Sequence, residues 1–193
     1  MAFLSDRRDR RRSFWRRRPV LTAQFVLGAL MLTVGAGLRL GDIYVNSSGS
    51  IPMGFYRAAS QSGLTAKTGD YVLFCPPLTP LFEEAHTRGY LGSGVCPGRF
   101  GYLMKRVAAA SGDLVEFSES GVRVNDRMLQ RSQRLSADRD GRLLWSPEQM
   151  KQLLEEHQVL LMSDNTSLGF DGRYFGPIAR MQIKTVLVPV WVW

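Results

Sequence analysis

The chain has only two histidines and two cysteines among its 193 residues. There is no C-x-x-C, and neither His86 nor His157 stands at metal-ligand spacing or fits a Ser-His-Asp triad. A metal centre is therefore not expected, and no cofactor is called for. Lysine is nearly as scarce, with Lys67, Lys105, Lys151 and Lys184 set against 21 arginines. No internal repeat appears, and no low-complexity stretch beyond an arginine tail, which excludes a solenoid. Charge of either sign is missing from residues 19–38, PVLTAQFVLGALMLTVGAGL.

Hydrophobic residues make up 45% and charged residues 22%, so the bulk is neither disordered nor collagen-like. The length suits one domain with an appendage. The net charge of +8 is concentrated: residues 1–18 hold eight Arg and two Asp, a balance of +6, which leaves +2 for the rest. A strongly basic globular domain is excluded, and nucleic acid is not expected as a partner.

The uncharged run explains the tail. Twenty residues of helix at about 1.5 Å each cover roughly 30 Å, the thickness of a bilayer's hydrocarbon. A buried core helix seldom stays uncharged for so long. A cleaved secretory signal usually has a shorter apolar run, of roughly 7–15 residues. The arginines before the span stay cytoplasmic by the positive-inside rule, sending the rest across. The expected organisation is a basic cytoplasmic tail at 1–18, a transmembrane anchor at 19–39 and a periplasmic domain at 40–193. The protein would then sit in the inner membrane with a single pass. In an oxidising compartment Cys75 and Cys96 read as one structural disulfide; in a reducing cytosol they would be two buried thiols.

Beyond residue 43, short apolar runs with Gly and Pro punctuation predict a mainly β body with few short helices. The expected strands are 54–57, 71–74, 102–108, 114–118, 121–124, 159–162 and 183–193, with a hairpin joining the fourth and fifth. Ser146-Pro147-Glu148-Gln149 carries an N-cap, a Pro at the first helical position and Gln at the capping-box position, predicting a helix to about His157. A second helix is expected near 78–88. Residues 125–144 read as a polar surface loop.

Three stretches carry candidate chemistry. Lys105 falls inside an apolar strand, where burial would depress its pKa toward the range of a base; the alternative is a lysine snorkelling at a strand edge. Arg could not serve there, because its guanidinium does not release a proton. In Asn46-Ser-Ser-Gly-Ser-Ile-Pro-Met-Gly-Phe-Tyr56, Gly49, Pro52 and Gly54 constrain the backbone around Ser50, although Ser-Gly-Ser strings are often mere linkers. The third is Ser163-Asp-Asn-Thr-Ser-Leu-Gly-Phe-Asp-Gly-Arg-Tyr-Phe-Gly-Pro177, polar turn residues after a buried strand.

Taken in order, a membrane span, Ser-x-Pro, Lys-Arg-Val-x4-Gly-Asp and Asp-Asn-x5-Asp-x-Arg-Tyr-Phe-Gly resemble the signal peptidase I superfamily of Ser/Lys-dyad proteases. Ser50-Ile-Pro-Met-Gly-Phe-Tyr-Arg57, the Cys75/Cys96 pair and Arg173-Tyr-Phe-Gly-Pro177 lean toward its TraF-type conjugative-transfer branch. The resemblance implies Ser50 as nucleophile, Lys105 as general base and Ser48 as an oxyanion donor, with Asp164, Asn165, Asp171 and Arg173 in support. It implies a membrane-anchored serine endopeptidase that matures a pilin precursor; some relatives also join pilin ends into a ring. A general leader peptidase acting on many exported preproteins is the alternative, and an inactive assembly adaptor is a third reading. Relatives often carry a serine two residues before the last Asp, where this chain has Gly169, and a serine after it, where this chain has Gly172. The hydroxyl that orients the lysine is thus missing from its usual place, and Gly169→Ser is expected to be tolerated.

Overall fold

The structure is a computed structural model. It describes the backbone of residues 5–145 and 150–193, and the side chains of all but 1–20, 38–39, 60–63 and 146–149. The chain divides into two units, 1–43 and 44–193.

The first unit is one helix, α1 (Ser5–Leu40), released at Asp42, where φ turns to +50°. Its Thr33 hydroxyl donates to the Leu30 carbonyl at 2.9 Å, so that polar group is satisfied within the helix. Among the described residues no helix is long and apolar enough to cross a membrane; the described side chains of the uncharged run are those of 21–37.

The second unit is mainly β. Its strands are β1 (Ile43–Asn46), β2 (Gly54–Ser62), β3 (Tyr71–Phe74), β4 (Leu103–Ala109), β5 (Leu114–Ser118), β6 (Gly121–Val124), β7 (Arg127–Met128), β8 (Met150–Leu153), β9 (Gln158–Met162), β10 (Ile178–Ala179) and β11 (Ile183–Val192). Two short α-helices accompany them, α2 (Pro80–Thr87) and α3 (Gly172–Phe175). One sheet runs β1-β2-β11-β3-β4-β9-β10, and a smaller one runs β7-β6-β5-β8. Every expected strand is present, as are the β5–β6 hairpin and the helix near residue 80.

Strand periodicity fixes which face each β4 residue takes. Lys105 and Val107 are buried while Arg106 between them is exposed, the alternation a pleated strand imposes, and a register shift between Val107 and Ala109 then turns Ala109 to the other face. Val107 joins Val72, Phe74, Val159 and Leu161 in one core cluster. Ala109 joins Val115, Phe117, Val122 and Leu160 in a second, which draws on both sheets. Lys105 is therefore carried into the interior by a strand whose register the apolar neighbours determine.

One expectation fails. The cap at Ser146–Gln149 lies outside the described residues, and beyond it there is no helix running to His157. Residues 150–153 form β8, antiparallel to β5 with Leu114 opposite Leu153 and Phe117 opposite Met150. Lys151 reaches Glu116 across the pair at 3.8 Å. The open edge of β5 offers this segment a full ladder of hydrogen bonds, which outweighs a local capping signal worth about 1 kcal/mol.

The Cys75–Cys96 disulfide forms, with Cα atoms 5.5 Å apart. It closes the loop that contains α2 and packs against Phe82, Ala85, Leu91 and Phe100.

Candidate active site

The turn between β1 and β2 is built around Asn46, a buried side chain that bonds along the whole loop. Its Nδ2 donates to the carbonyls of Ser48 (2.9 Å), Ile51 (2.9 Å) and Pro52 (3.1 Å). Its Oδ1 accepts from the Ser48 N–H (3.2 Å) and the Ser48 hydroxyl (2.8 Å). Nothing in the sequence alone assigns Asn46 a role. The signal available was an amide side chain at the end of a strand, immediately before a Ser-Ser-Gly-Ser turn. Ile51, fully buried, pins the turn to the core beside Tyr56, Leu73 and Leu187.

Within this loop the Ser48 and Ser50 hydroxyls lie 2.8 Å apart. The proton of Ser48 goes to Asn46, so Ser50 is the donor between the two hydroxyls, since each has one hydrogen. The Ser50 carbonyl accepts from the Asp164 N–H at 2.7 Å, which stitches the serine loop to the segment after β9.

Lys105 is 4% exposed, and its Nζ donates to the Ser163 hydroxyl at 2.8 Å. Burial pulls its pKa down to about 8, because an ammonium loses solvation there; Asp171 opposes this and Arg173 adds to it. About a tenth of the amine is thus neutral at pH 7, and the neutral form is the one a base must use.

Asp171 and Arg173 are both fully buried and form a two-point ion pair, Nε to Oδ1 at 2.7 Å and Nη2 to Oδ2 at 2.8 Å. Arg173 also donates to the carbonyls of Ser167 (2.9 Å) and Gln133 (3.1 Å). Asp171 Oδ2 accepts from the Ser163 backbone N–H at 2.9 Å. The pair therefore acts on Lys105 by charge and by holding the backbone of Ser163.

Asp164 sits differently from Asp171. Its carboxylate accepts from the Tyr71 hydroxyl (3.1 Å) and from Arg106 (3.4 Å), on the face of β4 opposite Lys105. Desolvation and the Asp164 charge raise the Tyr71 pKa, keeping the phenol protonated as donor. Asn165 lines a cleft of about 610 Å3 with Arg106, Gln130, Ser163 and Asp164. Thr68 and Gly69 line the same cleft.

The expectation for position 169 meets an obstacle of space. A Cβ built on Gly169 would lie 2.2 Å from Ser163 Oγ and 2.9 Å from Ser163 Cβ. Gly169→Ser is not accommodated while Ser163 stands, because the hydroxyl of Ser163 occupies that space. Nor is the hydroxyl missing: it is supplied six positions earlier in the chain.

The site thus holds a buried lysine bonded to the hydroxyl of Ser163, whose neighbour Asp164 bonds the loop that carries Ser48 and Ser50. The profile described as signal peptidase, peptidase S26, matches residues 21–192, and the chain belongs to that family. Among individual proteins, it is 45% identical over 168 residues to the plasmid transfer protein TraF of Escherichia coli, spanning 87% of this chain and 93% of that one. It is 33% identical over 169 residues to the conjugal transfer protein TraF of Agrobacterium tumefaciens (strain 15955), spanning 88% and 90%. A crystal structure of a signal peptidase I from Enterococcus faecalis aligns over 64% of this chain and 97% of its own, with 17% identity and a TM-score of 0.36.

Proposed function

We propose that the protein is a membrane-anchored serine endopeptidase with a Ser50/Lys105 dyad, which matures a pilin precursor for conjugative transfer. The observation that carries the chemistry is the buried Lys105 amine with its depressed pKa, hydrogen-bonded to the hydroxyl of Ser163, whose neighbour Asp164 bonds the Ser50 carbonyl. The neutral amine takes the proton of Ser50 Oγ as that oxygen attacks the scissile carbonyl. The Ser50 N–H and the Ser48 hydroxyl receive the oxyanion, each donor worth about 3–4 kcal/mol in such sites. For this the Ser48 proton turns from Asn46 toward the new charge. The lysine ammonium then protonates the leaving amine, and water, activated by the same lysine, hydrolyses the acyl-enzyme.

The substrate class rests on the relatives, which are named for plasmid and conjugal transfer. The anchor rests on the uncharged run at 19–38 behind eight arginines, which favours a cytoplasmic N-terminus and a periplasmic peptidase domain. The deciding experiment is Ser50→Ala with a pilin precursor co-expressed in the same cells. The precursor should accumulate uncleaved; cleavage by the variant would overturn the proposal. Cleavage of many unrelated exported preproteins by the wild type would replace the pilin substrate with a general leader peptidase activity.

A further inference from the structure

Lys105 ends four rotatable bonds from its strand, so burial alone does not set where its lone pair points. Its Nζ bonds to a single described hydroxyl, that of Ser163, at 2.8 Å. Ser163 is itself 4% exposed, and its backbone N–H is tied to Asp171, which the fully buried Arg173 grips at two points. The hydroxyl is thus the end of a rigid series, Arg173 to Asp171 to Ser163 to Lys105. The glycine at 169 completes the observation, since any side chain there would enter the volume that Ser163 Oγ fills. That volume has room for one hydroxyl, and it can be reached from position 163 or from position 169.

We propose that Ser163 is the positioning residue of the general base in this protein, and that Ser163 and Gly169 form an exchangeable pair in which one residue must supply the hydroxyl and the other must lack a side chain. This rests on the Ser50/Lys105 reading above. An N–H of Lys105 is spent on Ser163, which fixes one direction of the amine and so restricts where its lone pair can point.

The structure also signs the effect on titration. Ser163 Oγ accepts from Nζ, and a neutral acceptor favours the ammonium over the amine. The charges that reach Lys105 are Asp171 and Arg173, both in the segment after β9. From β3 the residue opposite is the apolar Val72, and Tyr71 and Asp164 are engaged with Arg106 on the other face. Removing the hydroxyl therefore lowers the pKa of the base.

The test uses full-length protein in detergent and a peptide spanning the cleavage site mapped in the pilin precursor. Ser163→Ala should lower kcat about tenfold to a hundredfold, the scale of a misplaced catalytic group, with KM little changed. Its acidic limb in kcat/KM should move to lower pH by about half a unit to one unit. Gly169→Ser alone should lose activity to a similar degree or more. The double variant Ser163→Gly with Gly169→Ser, in which the clash is gone and one bond from the new Cβ reaches the vacated place, should recover most of kcat. Wild-type kcat with an unmoved limb in Ser163→Ala overturns the proposal. So does a double variant no better than its singles while its melting temperature matches the wild type. Ser50→Ala and Lys105→Arg run alongside: if either cleaves, the dyad itself has failed; if both are dead, a negative result belongs to Ser163 alone.

Discussion

At the scale of single residues, a lysine and an arginine differ in this site by one property, the ability to become neutral. Lys105→Arg should abolish cleavage as completely as Lys105→Ala, measured on the pilin precursor in cells. Substantial activity in the arginine variant would remove Lys105 from the dyad. The direction with pH follows from the same group. The amine is productive when deprotonated and its folded pKa is depressed to about 8. So log kcat/KM should climb with a slope near one below that value and level off above it. A flat profile between pH 6 and 9 would count against a lysine base. The residue type and its apolar strand setting were legible in the sequence. Its partner was not, because Ser163 stands 58 positions away and nothing local distinguishes it from a turn serine.

Elements were legible where they bury a face. β4 and β9 read as strands because their apolar residues had to point inward; that the two pair was decided by the tertiary structure. β7 and β10, two residues each, are defined by the edges they pair with and carry no pattern of their own. β8 shows the same limit from the other side: its capping signal was real, but the vacant edge of β5 decided its state. The loop closed by Cys75 and Cys96 spans 21 positions, for which chain-entropy arguments give about 3 kcal/mol. The double variant Cys75→Ser/Cys96→Ser should therefore melt several degrees lower. Activity should persist below that melt, since the bridge belongs to the α2 cluster and not to the serine loop. An unchanged melting temperature would mean that the cluster holds the loop unaided.

At the scale of the whole molecule, the peptidase unit ends in an aromatic strand lying along the rim of the serine loop. Trp191 stacks on Phe55 with ring centres 6.1 Å apart, Trp193 packs against both, and the Trp193 N–H bonds to the Met53 carbonyl at 3.0 Å. Both tryptophans are more than half exposed, a placement that suits rings at a bilayer interface. Anchoring predicts that the full chain stays with the membrane fraction through alkaline carbonate washing. Its body should be digested by protease added to spheroplasts but not to intact cells. Recovery of the full chain in the soluble fraction would refute the anchor.

Residue type, order and periodicity by themselves determined the β body and the basic tail with its uncharged run, and the order of motifs, through the family they resemble, singled out Ser50 and Lys105. Each of these depends on what a residue is or on its near neighbours. The tertiary structure alone decided that Asn46 builds the serine loop, that Asp164 and Asp171 serve opposite faces of β4, and that the hydroxyl beside Lys105 comes from Ser163. These are questions of occupied space and hydrogen-bond reach between segments far apart in the chain. At position 169 the sequence shows only a missing serine; the fold shows the place already filled, and two oxygens cannot share it.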